Sequence, residues 1–200
     1  MDLGFMIGHG PLRSYVMGYE RCQSQVDASK EEISKMSDIV TEAIESGALG
    51  FSTSRTILHR DVHGVYVPGT EASSEEMKSL AFAIDKAGEG TLEIVSDWLD
   101  KEIEMSWMRE YVEKSDCGLT VLQTSGDAVK TTLFCEEQFL KGKNVRPQFP
   151  GRNVGMMFGL ESSLHPFIGH PSYREIADLP LSERVKTVSY THLRAHETTS

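Results

Sequence analysis

Apolar positions at helical spacing alternate along this chain with short apolar runs that end in polar residues. The clearest helix is predicted over residues 27–47. Ser29 followed by Glu32 is a capping-box pattern at its start, and Gly47 is placed to end it. The apolar residues that recur every three or four positions and define one face of this helix are Ile33, Met36, Val40 and Ile44.

The stretch directly after this helix, residues 47–60, reads GALGFSTSRTILHR. Small residues lead into a run of apolar and hydroxyl side chains, and helices are predicted on both sides. This pattern is typical of a buried parallel strand whose C-terminal end opens into a site. The polar cluster that ends the stretch consists of Ser54, Arg55, His59 and Arg60.

The same patterns predict the remaining elements. Further strands are expected over residues 3–7, 91–95, 118–122 and 145–149, with a turn at 8–11 and a small hairpin arm at 65–67. Helices are expected over residues 12–17, 74–87, 101–114 and 128–141, and short ones near 172–178 and 181–186. Ser73 and Glu76 form a second capping-box pattern. The residues expected to face inward from the last two long helices are Ile103, Trp107, Met108, Val112, Leu133, Phe134 and Leu140.

Five strands alternating with four long helices indicate an α/β fold with parallel strand pairing. A doubly wound sheet and a (β/α)₈ barrel both fit this alternation. Neither a GxGxxG motif after the first strand nor a P-loop is present in the sequence. In a barrel, five βα units are an incomplete set, so the barrel interpretation makes this chain part of a longer protein.

Composition and charge narrow the functional classes. The chain has 200 residues with a net charge of -10, which argues against nucleic acid or an anionic membrane as a partner. Its three cysteines form no CxxC pair, which favours a reduced, cytoplasmic setting. No apolar run reaches membrane-spanning length, and the first residues have no signal-peptide pattern. They read as the middle of a strand, so Met1 is interpreted as an internal methionine or a truncated start.

The last residues form a separate case. Residues 188–198 read VSYTHLRAHET, which resembles one reading frame of a common transposase sequencing adaptor. Residues 187–200 are therefore interpreted as read-through without selected structure, and residues 1–186 as the functional part. A natural helical tail is the alternative. On this interpretation His192 and His196 are not candidate metal ligands.

The candidate chemistry lies just after the predicted strands. In a parallel barrel all of these positions fall on the face where sites form. Each has a plainer explanation as well: Asp97 is also placed to cap the next helix, and Arg55 and Arg60 are also compatible with surface charges. These residues are His9 and Arg13, then Ser54, Arg55 and His59, then Ser96 and Asp97, then Gln123 and Ser125, and last Gln148 and Arg152.

A metal site is not evident within the sequence. No His-x-His ends a strand, His59 and His63 lie in a glycine-containing loop, and His165 and His170 are separated by Pro166. A GxSxG nucleophile motif is also missing from the sequence.

Three stretches resemble a known family. GHGPLRSYVMG (8–18), GALGFSTSRTILHRDVHGVYVPGT (47–70) and RPQFPGRNVGMMFGLESSLHPF (146–167) are similar to the N-acyl-D-amino-acid deacylase group of the amidohydrolase superfamily. The resemblance covers residues 3–186. It implies a partial (β/α)₈ barrel of about five βα units and hydrolysis of an amide on a carboxylate-bearing substrate by zinc-activated water. The zinc is expected for the full-length protein only, because the His-x-His motif and the late aspartate of the family would lie outside this chain.

The resemblance also implies roles for matched positions. Arg13, Arg55 or Arg152 would pair a substrate carboxylate, and His9 would orient or polarise the scissile amide. Ser54, His59 and Gln148 match the family's motifs as substrate-side residues. LEIVSD (92–97) and LTVLQT (119–124) depart from the family, because Ser96, Asp97 and Gln123 stand where histidine ligands are expected. Asp97 is taken as a candidate catalytic residue with His9, and Gln123 as a substrate-binding one.

Three functional interpretations therefore stay open. The leading one is a metal-dependent amide hydrolase, of which this chain would be the central part. A related cyclic-amide or ester hydrolase is the second, and an inactive α/β module, for this stretch of chain alone, is the third. The oligomeric state is left open, although five strands of a barrel would leave two unprotected sheet edges.

Overall fold

The structure, a computed structural model, describes residues 2–189 except 62, 99, 124–127, 152–154, 156 and 163–164. The chain divides into two compact units. Met1–Asp61 with Val65–Arg152 forms the first, and Val62–Gly64 with Asn153–Ser200 forms the second. The predicted read-through segment falls mostly beyond the described residues.

The first unit contains a five-stranded sheet in which every strand pair is parallel. The strands follow one another across the sheet in chain order. A doubly wound sheet needs a point where this order reverses, and the described sheet has none. The predicted parallel α/β alternation is confirmed. The strands are β1 (Ile7–Gly8), β2 (Gly50–Arg55), β3 (Thr91–Ser96), β4 (Gly118–Leu122) and β5 (Val145–Gln148).

Six helices connect and flank these strands in the described part of the first unit. The predicted capping box of α3 is present, because Ser29 accepts from the Glu32 amide while Glu32 accepts from the Ser29 amide. The helices are α1 (His9–Met17), α2 (Tyr19–Gln23), α3 (Lys30–Glu45), α4 (Ser74–Ala87), α5 (Lys101–Lys114) and α6 (Ala128–Leu140).

The helices cover one face of the sheet. Alternate strand residues are fully buried and belong to the same hydrophobic core as the helices. The intervening positions are only half-buried and carry mostly polar side chains, so the other face is available for a site. The buried positions include Phe51, Leu92, Ile94, Leu119 and Val121, and the half-buried ones include Ser52, Ser54, Glu93, Val95 and Thr120.

Some predicted boundaries are wrong. The first strand was expected over residues 3–7 with a turn at 8–11, but β1 is short and α1 already begins at His9. Pro11 is tolerated in the first turn of α1 because amides there have no partner within the helix. The second capping box is only half formed: Ser73 accepts from the Glu76 amide, but the Glu76 carboxylate bonds elsewhere.

Three residues expected to face inward are exposed. Ile103 is 50% exposed because the neighbouring Glu104 occupies the inward position and binds Arg55. On α6 the buried stripe is formed by other residues, which leaves Leu133 and Leu140 outside it. That stripe consists of Thr131, Phe134, Cys135 and Gln138. Trp107, Met108, Val112 and Phe134 are buried as expected.

The described residues of the second unit include two short helices, α7 (Pro171–Arg174) and α8 (Leu181–Val188). The His165 ring meets the Tyr173 ring edge-on with 4.5 Å between their centroids, and the Tyr173 hydroxyl donates to the Leu160 carbonyl. None of the described helices in either unit combines the length and apolar character that crossing a bilayer requires.

The close approach of β2 to β3 gives a test of the sheet. Gly50 has a φ of 153°, and a Cβ atom there would lie 1.9 Å from the Thr91 carbonyl oxygen. Gly50→Ala is expected to lower the free energy of unfolding by more than about 2 kcal/mol, measured by urea denaturation. Gly151→Ala is the control because no atom of the described residues, its chain neighbours aside, lies within 4 Å of the added methyl group. Equal stability of the two variants would contradict the described strand pairing.

Candidate functional site

A cavity of about 400 Å³ opens at the carboxyl ends of the first four strands. The start of α1, the ends of β2 and β3, and the loop after β2 contribute most of its lining, with Leu122 from β4. This is the edge of a parallel α/β sheet where ligands bind. Of the residues predicted to act, it brings together His9, Ser54 and His59.

His9 is held in a buried network beneath this cavity. Its Nδ1 lies 2.8 Å from the Thr53 hydroxyl and its Nε2 lies 2.7 Å from the Glu76 carboxylate. The second oxygen of Glu76 accepts from the Arg13 guanidinium at 2.5 Å, and Arg13 also donates to the Val26 carbonyl at 2.7 Å. His9, Arg13 and Glu76 are each at most 2% exposed, so this network joins α1, β2 and α4 inside the protein.

The protonation state of the network follows from burial and charge. Burial lowers the pKa of His9 below its usual 6.5 and outweighs the opposing effect of Glu76. Burial acts to raise the pKa of Glu76, but the hydrogen bond from His9 and the contacts with Arg13 outweigh it and lower that pKa. His9 is therefore neutral, its Nε2–H donates to Glu76, and the Thr53 hydroxyl donates to Nδ1.

A glycine fits against the other side of this histidine. Gly69 has a φ of 97°, and a Cβ atom there would lie 2.6 Å from the His9 Nδ1. Only glycine adopts this backbone conformation without strain and leaves room for the ring. The loop after β2 therefore packs directly on the imidazole that the first motif supplies.

Ser54 and His59 form a pair at the cavity wall. The Ser54 Oγ lies 2.5 Å from the His59 Nδ1, and His59 is exposed. The loop that carries His59 is fixed at its base, because the Ile57 amide donates to the Asp97 carboxylate at 2.7 Å and the His59 amide donates to the Thr56 carbonyl. Asp97, predicted as catalytic, thus contacts the backbone of the loop that positions His59.

Arg13 and Arg55 contact carboxylates of the protein itself. Both Nε and Nη2 of Arg55 reach one Glu104 oxygen, at 2.8 and 2.7 Å, and its Nη1 donates to the Ala72 carbonyl. Neither arginine lines the cavity described above. Their predicted role with a substrate carboxylate stays a prediction, and the contacts seen here serve the fold.

The predicted glutamines lie apart from the cavity. Gln123 is 4% exposed, donates to the Val121 carbonyl, and accepts from the Thr131 hydroxyl at the start of α6. Gln148 is exposed at the end of β5. Ser96 is buried, and its hydroxyl accepts from the Trp98 amide. Arg152 and Ser125 lie outside the described residues.

Three glutamates at or near the site were missed by sequence reasoning. Glu76 and Glu104 are the buried partners of the arginines, and Glu93 lines the cavity. The available signal was helical spacing, because Glu76 lies four residues before the buried Leu80 and eight before the buried Ile84. A carboxylate on an apolar helix stripe indicates a buried partner.

The described residues do not supply a zinc site. Among them no three His, Cys, Asp or Glu side chains are grouped to hold a metal ion. Both ring nitrogens of His9 are already bonded, which leaves His59 and Glu93 at the described cavity wall, fewer than the three protein ligands of a catalytic zinc. No chemical step is therefore assigned through a metal held by these residues.

Comparison with protein-family models, with curated proteins and with solved structures finds no match for this chain.

The buried network predicts a large and specific loss of stability. Glu76→Gln leaves the Arg13 charge buried without a countercharge, so the free energy of unfolding should fall by about 3–5 kcal/mol in urea denaturation. Glu75→Gln, one residue earlier and exposed, should change it by less than about 0.5 kcal/mol.

A second variant tests the cause of that loss. Adding Arg13→Met to Glu76→Gln removes the uncompensated charge and should recover part of the lost stability. If the double variant is less stable by the sum of both single changes, the two side chains are not coupled as described.

Proposed function

We propose that this chain forms the substrate-facing wall of an amide hydrolase similar to N-acyl-D-amino-acid deacylases, within a (β/α)₈ barrel of the amidohydrolase superfamily. The observation that carries the proposal is the cavity itself. Residues of the first two family-like stretches, His9 from one and Ser54 and His59 from the other, meet there at the carboxyl ends of parallel strands.

The strand order supports the barrel. Consecutive strands of a (β/α)₈ barrel are neighbours, with all helices on the outer face and the site at the carboxyl ends of the strands. The described sheet has that order and a single helix-covered face. On this proposal the remaining strands and the zinc ligands belong to other parts of a longer protein.

The side chains of the site form two groups: one holds the structural elements together behind the cavity, and the other lines the cavity. Arg13, Glu76 and His9 hold α1 and α4 against β2, so they fix the shape of the cavity from behind. Ser54 and His59 face the cavity. With the Ser54 hydroxyl donating to Nδ1, the His59 Nε2–H would be available to a substrate carbonyl or amide.

An ester hydrolase is the second candidate, and the contact between Ser54 and His59 is the observation that favours it. A serine within hydrogen-bonding distance of a histidine is the arrangement of a nucleophile and its base. In this alternative Ser54 would attack the ester carbonyl while His59 takes its proton, and the alcohol would leave with that proton. Water would then hydrolyse the acyl-serine and regenerate Ser54.

The two candidates differ in what Ser54→Ala does. Using the product of the intact open reading frame, supplied with zinc, we expect hydrolysis of N-acetyl-D-amino acids. Ser54→Ala should lower kcat/KM by about 10- to 100-fold, because His59 loses the hydroxyl that orients its Nε2–H toward the substrate. A loss of about 10⁴-fold or more on p-nitrophenyl esters would instead identify a nucleophile.

The control variant is Ser79→Ala, whose hydroxyl contacts Ser37 between helices α3 and α4 and should leave turnover unchanged. Absence of N-acyl amino acid turnover in the metal-loaded intact protein would refute the amide hydrolase proposal.

A further inference from the structure

Glu93 is a charged residue of the open sheet face that neither the family resemblance nor the proposed mechanism uses. It lies in the middle of β3 on the face away from the helices. Its register partners are Ser52 on β2 and Thr120 on β4, and the row continues to Gly8 on β1 and to Arg146 on β5. Small and hydroxyl-bearing neighbours therefore leave space above the carboxylate.

This carboxylate has no partner within the described part of the protein. Glu93 is half-buried and lines the cavity, yet it takes part in neither a hydrogen bond nor an ion pair with any described residue. A carboxylate in a concave, partly desolvated position gains free energy from an N–H donor, and most from a positively charged one.

The arginines of the sheet and of α1 have other partners. Arg13 binds Glu76, Arg55 binds Glu104, and neither lines the cavity. Arg146, which follows Thr120 in the row, has its guanidinium over the Phe139 ring and is also not a lining residue. Among the described lining residues there is no lysine or arginine, and Glu93 is the single acidic side chain. A ligand carboxylate placed beside Glu93 would meet a like charge there, whereas an ammonium group would meet an opposite one.

We propose that Glu93 binds a positively charged amine of the substrate, so the substrate class is an N-acylated amino compound that carries a free ammonium group. This rests on the proposed function for the acyl part of the ligand. Ser52, beside Glu93 in the row, supplies a hydroxyl that accepts a second ammonium hydrogen. Any substrate carboxylate binds elsewhere, away from β3.

The experiment compares two probes that differ only in the ammonium group. Binding of N-acetyl-D-lysine and of N-acetyl-D-norleucine to the full 200-residue chain is measured by titration. We expect the lysine compound to bind at least about 10-fold more tightly, as a charged hydrogen bond implies. In Glu93→Gln this preference should fall to about 1-fold.

Glu89→Gln is the matched control, because it removes the same charge from an exposed position just before β3 and should keep the preference. Equal binding of both probes to the unaltered chain, no saturable binding of the lysine compound, or an unchanged preference in Glu93→Gln would each overturn the proposal. Binding requires no hydrolysis. A preference for the ammonium compound without turnover in the intact protein would therefore contradict the amide hydrolase proposal. Turnover without that preference would contradict the ammonium site at Glu93.

Discussion

The buried contacts of Glu76 are the constraint on which the candidate site depends. One carboxylate accepts from His9 and from Arg13, and Thr53 completes the bonds of the imidazole. These residues come from three elements, and His9 precedes Thr53 by 44 positions and Glu76 by 67. A buried ion pair contributes little net stability against apolar packing, but breaking it is costly, so its main effect is to fix how α1 and α4 sit on β2. The Ser54–His59 wall is built on that arrangement.

The sequence was sufficient for most of the secondary structure and for the α/β class. The bounds of α4, α5 and β4 follow from caps, apolar spacing and glycine stops, which are local signals. The short β1 and the early start of α1 could not be predicted in the same way, because pairing with β2 decides where that strand ends. Ile103 was misplaced because the buried ion pair of its neighbour Glu104 overrides the apolar pattern.

The sequence predicts where the candidate site lies better than it predicts what each side chain does there. Residues after strands do meet at one edge of the sheet, as parallel topology requires. What each side chain does there depends on partners far away in sequence. From the sequence, Arg55 is predicted to bind substrate, but in the structure it contacts Glu104. Glu93 has no distinguishing feature in the sequence, and only the structure shows that it lines the cavity. The residue type at a single position does not indicate which distant residue it contacts.

His9 is a neutral member of this network, held in position by Thr53 and Glu76. The most direct test is ¹⁵N NMR of its ring between about pH 7 and 5.5, a range around the ordinary histidine pKa. The lowered pKa predicts a neutral ring with the proton on Nε2 that persists below pH 6.5, with slow exchange of that proton. Titration of His9 at or above its ordinary 6.5, or a proton on Nδ1, would show that His9 is not the neutral donor to Glu76 described above.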